Sequence, residues 1–363
     1  MEISLLGSLS SIAAVVGTPL TGVLLDLLGR KYCCILFSLA PVISWAILSF
    51  TRRVEVVLLS VFLSGLVGTS FMIVPNFINE ITQDSIRGSL TSTEAVEAIC
   101  FYRSEKPNSK IVLQEIDNLR KILSPQFNNT QPEEETLKPE SAKKLTKWQF
   151  IRKHKPTVRG FFIALTLLSL SIFQGVIVVQ VYAQLLFEDT LPNMSATWSS
   201  IAFALVNVLS GLVAAYLLDV FGRRPIMIYS SLLTCLFCTL LGSHLQLHWA
   251  PSWLAAALIF LYCMTVTSGA NIVPFVIVAE IFLPEVRGVM SMLVIESGWI
   301  WNFLMLVIFN PFMAAVGMGP VFYIFALISL LTAIFTSIYL PETKGLTVQD
   351  IQTLLERRQR SLH

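Results

Sequence analysis

Apolar residues occupy the chain in long runs, separated by short polar clusters at fairly regular intervals. A helical run of about 20 apolar residues crosses the hydrocarbon core of a bilayer. Nine runs meet that length: 3–28, 32–50, 56–78, 160–187, 197–218, 226–246, 252–282, 289–312 and 320–340. The pattern predicts an all-α polytopic membrane protein. The first run lacks a basic leader and exceeds a signal-peptide core, so it is read as a span. Pro274 is expected to kink the stretch 252–282, leaving a carbonyl to face protein or a water cavity.

Residues 89–157 depart from this pattern: they hold 21 of the 48 Asp, Glu, Lys and Arg residues and no span. Within them, 111–123 (IVLQEIDNLRKIL) has helical apolar spacing suited to a membrane surface. The stretch 125–140 (PQFNNTQPEEETLKPE) reads as a polar, proline-containing linker.

Composition agrees with the runs. The 363 residues are 55% hydrophobic and 13% charged, with mean hydropathy +0.72. Soluble domains lie near 45–50% apolar and about 25% charged, so soluble and disordered classes are excluded. A net charge of +2 provides no basic field for nucleic acid. Nine spans put the termini on opposite sides. With the C-terminus in the cytosol, 23 of the 25 Lys and Arg fall on cytosolic segments, and only Arg52 and Arg53 lie outside. The opposite topology violates the positive-inside rule. The sequon at Asn193 then lies in an outer loop, open to glycosylation, and that at Asn128 in the cytosolic loop.

Of the six cysteines, Cys33 adjoins Cys34, and Cys235-x-x-Cys238 lies in an apolar run with no accompanying histidine or second pair. They read as small packing residues. No nucleotide loop, metal cluster or nucleophile–base set is visible. The expectation is therefore neither an enzyme nor a cofactor-binding protein.

Two motifs occur twice. LLDLLGRK at 24–31 matches LLDVFGRR at 217–224, and PNFINEITQDSIRG at 75–88 matches PFVIVAEIFLPEVRG at 274–288. Asp26 and Asp219 are 193 residues apart; Glu80 and Glu280, and Arg87 and Arg287, are each 200 apart. A nearly constant offset marks duplicated halves, which in a membrane protein point to a transporter with its site at their interface. Glycine permits a tight turn after the helix, and arginine offers a planar fork to carboxylates. At membrane boundaries, Asp26, Arg30, Lys31, Glu80, Arg87, Asp219, Arg223, Arg224, Glu280 and Arg287 are candidates for a network holding neighbouring helices in one state. The plainer alternative is a set of solvated anchors.

At these residues the chain resembles the sugar-porter branch of the major facilitator superfamily. The matching strings are Gly22 to Lys31, Ala215 to Arg224, both Glu…Arg-Gly strings, and PETKG at 341–345, which adds Glu342 to the network. FLSG at 62–65 and YAQLLFE at 182–188 resemble the insect trehalose-transporter subgroup. The resemblance implies a major facilitator fold of twelve spans, of which the first, fifth and sixth have no counterpart here. It divides the chain into a partial N-terminal half (1–88), a cytosolic central loop (89–157), a six-span half (158–345) and a cytosolic tail (346–363). It implies a plasma-membrane transporter of the trehalose/glucose class working by alternating access, in truncated form, with a small-molecule sugar and the lipid bilayer as partners.

The resemblance also implies a sugar site between the halves. In 160–187, alignment on Tyr182 keeps Gly175 but puts Ser171, Ile172 and Ile177 at the family's amide positions, with Gln174 and Gln180 the polar groups at hand. Asn207 matches a sugar-contacting Asn. GANIVPF keeps Gly269 and Pro274 with Phe275 replacing Trp, and GWIWNF keeps Trp299, Asn302 and Phe303 with Gly298 replacing Asn. The Arg expected before FLSG is Val61. Amides donate to and accept from hydroxyls, and aromatic rings provide a wall. Each of these residues is equally read as helix-packing glue. Glu296 is a carboxylate well inside a span, either functional or a boundary residue near the cytosolic end, paired with Arg287 or protonated. Two rivals remain at this point: a non-transporting pseudotransporter with a binding or regulatory role, and a helical receptor.

Overall fold

Apolar runs fold as helices here because hydrocarbon offers the backbone no other hydrogen-bonding partner. The structure, a computed structural model, describes residues 2–50, 53–69, 73, 154–182, 196–346 and 348–360. In chain order these form α1 (Glu2–Phe50), α2 (Val54–Gly65) and a 3-10 turn (Leu66–Thr69). Then come α3 (Lys155–Phe173), α4 (Val176–Val181), α5 (Ala196–Phe221), α6 (Arg223–Leu247) and α7 (Ser252–Ser268). The chain continues through α8 (Val273–Ile281), α9 (Pro284–Val316), α10 (Met318–Tyr339) and α11 (Val348–Arg360). The elements all belong to one packed unit, Met1–Asn76 with Lys147–His363.

Among the described residues, seven segments are long and apolar enough to cross a membrane: Lys31–Phe50, Lys155–Val181, Ile201–Phe221, Arg223–Leu247, Trp253–Ile281, Val286–Val316 and Met318–Tyr339. The expected spans 3–28 and 56–78 correspond to the first part of α1 and to the shorter apolar stretch Val54–Thr69. Glu80, Arg87 and both sequons lie outside the described residues. So do 111–123 and 125–140, and for Asp26 and Arg30 only the helical backbone is described. Outward faces expose Trp45, Leu212, Tyr216, Ile308 and Leu327, an apolar surface of the kind that meets lipid.

The duplicated motif is visible in the backbone. Gly29 breaks α1 at φ 77°, ψ 168°, and Gly222 separates α5 from α6 at φ 93°, ψ 173°. These glycines hold the same place in their motifs, three residues after the aspartate. Both occupy a region of backbone space essentially closed to other residues.

Two expected spans are interrupted. The stretch 160–187 breaks at Gln174–Gly175, between α3 and α4, and 252–282 breaks between Ser268 and Val273. Pro274 does not kink a continuous helix as expected; it lies in the first turn of α8. There its missing N–H is no loss, and the irregular backbone precedes it.

Small residues let the helices approach closely. A Cβ on Gly65 would strike the Ser10 backbone of α1, and one on Gly17 would come within 2.9 Å of Thr69. Ser44 donates to the Ser60 carbonyl at 2.6 Å, tying the second part of α1 to α2. The main core runs through α3 to α10, with Leu167, Met227, Leu241, Ile259, Tyr262, Ile277 and Leu306 fully buried. Helix α11 is fastened beneath it: Gln352 Nε2 donates to the Ile281 carbonyl at 2.6 Å, and Arg159 donates to the Leu355 carbonyl at 2.9 Å.

Candidate functional site

The two helix interruptions meet the same level of α6. Gln174, fully buried at the end of α3, points Nε2 at Ser231 Oγ, 3.5 Å away at the outer limit of hydrogen bonding. Its Oε1 is buried with no partner among the described residues, while its backbone carbonyl accepts from Tyr262 Oη at 2.7 Å. The adjacent Ser230 packs against Gly269 so closely that a Cβ there would collide with its hydroxyl. Consecutive residues of one helix thus serve both breaks. Interrupted helices free backbone polar groups, and such groups at mid-membrane are tolerated where protein or a water-filled cavity meets them.

The expected sugar-site residues spread along this region. Phe173 and Trp301, neighbours of Gln174 and Asn302, stack with ring centroids 5.3 Å apart, so the two amides lie at one level of α3 and α9. Asn302 is buried. Trp299 is half-buried and faces the N-terminal segment: a Cβ on Gly68 would come within 2.6 Å of its indole. Phe275, in the first turn of α8, packs against the core. Gln180 is exposed on α4. Asn207 bridges helices, with Nδ2 donating to the Phe203 carbonyl at 3.0 Å and Oδ1 accepting from Thr267 Oγ1 at 3.1 Å. One N–H and one lone pair of its amide remain for other partners.

The charged cluster at the other end is tightly built. Arg223 donates to Glu280 Oε1 through Nη2 at 2.8 Å and Nε at 3.2 Å. Glu280 Oε2 accepts from Thr343 Oγ1 at 2.6 Å. Glu342 caps α6: Oε1 and Oε2 each accept, at 3.0 Å, from the backbone N–H of Arg223 and Arg224. It also accepts from the N–H of Thr343 and Lys344 at 3.0 and 2.9 Å. A carboxylate at a helix N-terminus complements both the free N–H groups and the helix dipole.

Arg224 instead reaches the Ser337 carbonyl at 2.6 Å, and Arg287, buried, reaches the Phe282 carbonyl at 3.3 Å. Asp219 is exposed and forms no salt bridge to the cluster among the described residues. Lys31 is exposed, with Nζ 5.9 Å from the Tyr32 ring centroid.

Sequence reasoning did not single out Ser230, Ser231, Tyr262, Thr267 or Thr343. Thr343 had a signal, since it sits inside PETKG. The others are small or aromatic residues in apolar runs, where no pattern distinguishes a partner from packing.

Comparison with known proteins places this architecture. The pattern of the sugar (and other) transporter family matches residues 1–99 and 102–355, and the chain belongs to that family. Among its relatives, sugar transporter ERD6-like 8 of Arabidopsis thaliana is 27% identical over 403 aligned positions, covering 98% of this chain and 84% of the relative. Facilitated trehalose transporter Tret1 of Apis mellifera ligustica is 23% identical, covering 96% and 78%. In fold, the chain is similar to the major facilitator superfamily proton:xylose symporter XylE bound to 6-bromo-6-deoxy-D-glucose. The TM-score is 0.66 at 21% identity, covering 97% of this chain and 89% of that one. These relatives are transporters, not enzymes.

Proposed function

We propose that this protein is a sugar transporter of the trehalose/glucose class whose full-length form works by alternating access between two helical halves. The observation that carries the reading is the pair of helix interruptions meeting at Ser230 and Ser231 in a chain matched almost end to end by the family pattern. Gln174, Asn302, Trp299 and Phe275 surround that level as the hydroxyl-binding and stacking groups, with Gln180 and Asn207 at its edges. The cytosolic network of Arg223, Glu280, Glu342 and Thr343 tunes the equilibrium between states, with Asp26, Arg30, Lys31, Glu80 and Arg87 as its N-terminal counterpart. The family resemblance supports a plasma-membrane location, and the charge asymmetry of the loops supports a cytosolic C-terminus.

Two spans of the superfamily pattern have no counterpart between Gly88 and the central loop. Alignment with the Arabidopsis relative runs over 403 positions against 363 residues here, which supports that reading. An N-terminal half short of a helix pair leaves one wall of the cavity open, so this form moves sugar well below the rate of a twelve-span relative.

The test is purified protein in liposomes, with binding and uptake of labelled trehalose and glucose followed in parallel. Sugar binding without normal flux is expected. Saturable uptake at the rate of a twelve-span relative refutes the truncation, and absence of binding to either sugar refutes the site.

A further inference from the structure

The first part of α1 runs beside α9 in a close antiparallel seam. A Cβ on Gly22 would touch Met292 Sδ at 3.2 Å, and Gly68 packs on Trp299. Between these contacts Thr18 of α1 hydrogen-bonds Glu296 of α9. Thr18 is completely buried, and its Oγ1 donates to the Ala14 carbonyl at 2.8 Å. A hydroxyl has one proton to donate. Lying between the Ala14 carbonyl and the Glu296 carboxyl, Thr18 is a neutral partner and brings no positive charge to it. Glu296 Oε2 is buried without a partner among the described residues. As part of a neutral acid, Oε2 is a carbonyl oxygen missing one bond; as part of a carboxylate it would be an uncompensated charge inside the membrane.

No charged group among the described residues acts on Glu296. On α1 the charged positions are Glu2, Asp26, Arg30 and Lys31; Asp26 lies eight residues past Thr18, about 12 Å along the helix. Tyr32, Cys33 and Cys34 lie beyond Gly29. On α9 itself, Arg287 is about 13 Å away by helical rise, with Glu285 further. Helix α3 carries Lys155 and Arg159 near its first turn, and Arg159 is bound to α11. On α8, Glu280 is paired with Arg223. Helix α10 brings Tyr323 and Tyr339; α4 and the 3-10 turn carry no titratable residue, although Tyr182, just after α4, stacks on Phe309 of α9. The pairing of Glu296 with Arg287 considered from sequence is replaced by the pairing with Thr18.

We propose that Glu296 is a proton-binding site: it carries its proton while α1 and α9 are apposed, and releases it to water when they part. On release the carboxyl O–H bond breaks, the proton passes to a water entering the seam, and the electron pair stays on the carboxylate. Separation of the helices is thereby linked to proton release at this one residue. The inference does not rest on sugar transport, and neither readout below contains sugar.

The test is infrared spectroscopy of the protein in liposomes at neutral pH. The carbonyl band of a protonated carboxyl, shifted in heavy water, is expected in the wild type and lost in Glu296→Gln, whose amide keeps the size and polarity of the side chain. Thr18→Val should move that band by removing its hydrogen-bond partner. A band that persists in Glu296→Gln, or is unmoved in Thr18→Val, overturns the proposal. Amide exchange over 8–24 and 288–304, corrected for the intrinsic rate, gives the second readout. Protection should fall with rising pH in the wild type and stay level in Glu296→Gln; the same fall in both also overturns it.

Discussion

Gly222→Ala and Gly29→Ala should separate two costs that usually arrive together. Both glycines hold nearly the same backbone conformation, φ 93°, ψ 173° and φ 77°, ψ 168°. Alanine at either one incurs strain of about 1–3 kcal/mol. Their surroundings differ. A Cβ on Gly29 meets nothing within 4 Å, whereas one on Gly222 would lie 2.8 Å from the carboxyl carbon and both oxygens of Glu342. That carboxylate holds the N–H groups of Arg223 and Arg224 at 3.0 Å. Displacing it forfeits at least one charge-assisted hydrogen bond, worth about 1.5–3 kcal/mol. Gly222→Ala should therefore cost roughly 2.5–6 kcal/mol in all, against about 1–3 for Gly29→Ala. Reversible denaturation by SDS in mixed micelles, followed by helicity, measures both. In a Glu342→Ala background the extra cost of Gly222→Ala should vanish, since its steric partner is gone. Equal costs for the two glycines, or an unchanged difference without Glu342, would refute the assignment of Glu342 as the cap of α6.

Arg223→Ala or Glu280→Ala should shift the inward/outward population by roughly tenfold, about 1.4 kcal/mol, read by spin-label distances. A large loss of sugar affinity with an unmoved equilibrium would count against a conformational role. The Asn207–Thr267 bond should couple by only about 0.6 kcal/mol in a double-mutant cycle of Asn207→Ala and Thr267→Val; a coupling of several kcal/mol would mark the pair as more than helix glue. A C-terminal tag should resist protease added outside sealed cells, and cleavage from outside would reverse the orientation.

Much of this architecture was legible in the residues because it depends on chemistry that few other residues supply. Three residues past each repeated aspartate the chain needs a backbone conformation open essentially to glycine, and Gly29 and Gly222 appear there. Glu280 and Arg223 stood out because charges at helix ends are conspicuous in an apolar chain, and Glu342 through the PETKG string. The break at Gln174 was hidden, since an apolar run reads alike whether its helix is continuous or interrupted. Pro274 signalled irregular backbone but not its side, because proline both ends and begins helices. The meeting of Glu296 with Thr18 was beyond any sequence pattern: it depends on two helices distant in the chain lying side by side.

Helix α6 has Ser230 and Ser231 against the two interruptions, one on each. Successive residues of a helix are turned by about 100° and raised by 1.5 Å, so both broken strands of backbone rest on a single turn. Rolling α6 about its axis would press one interruption while withdrawing from the other. A shift of the backbone at Gln174 is thereby registered at Gly269 in one mechanical step, with α6 as their common axle.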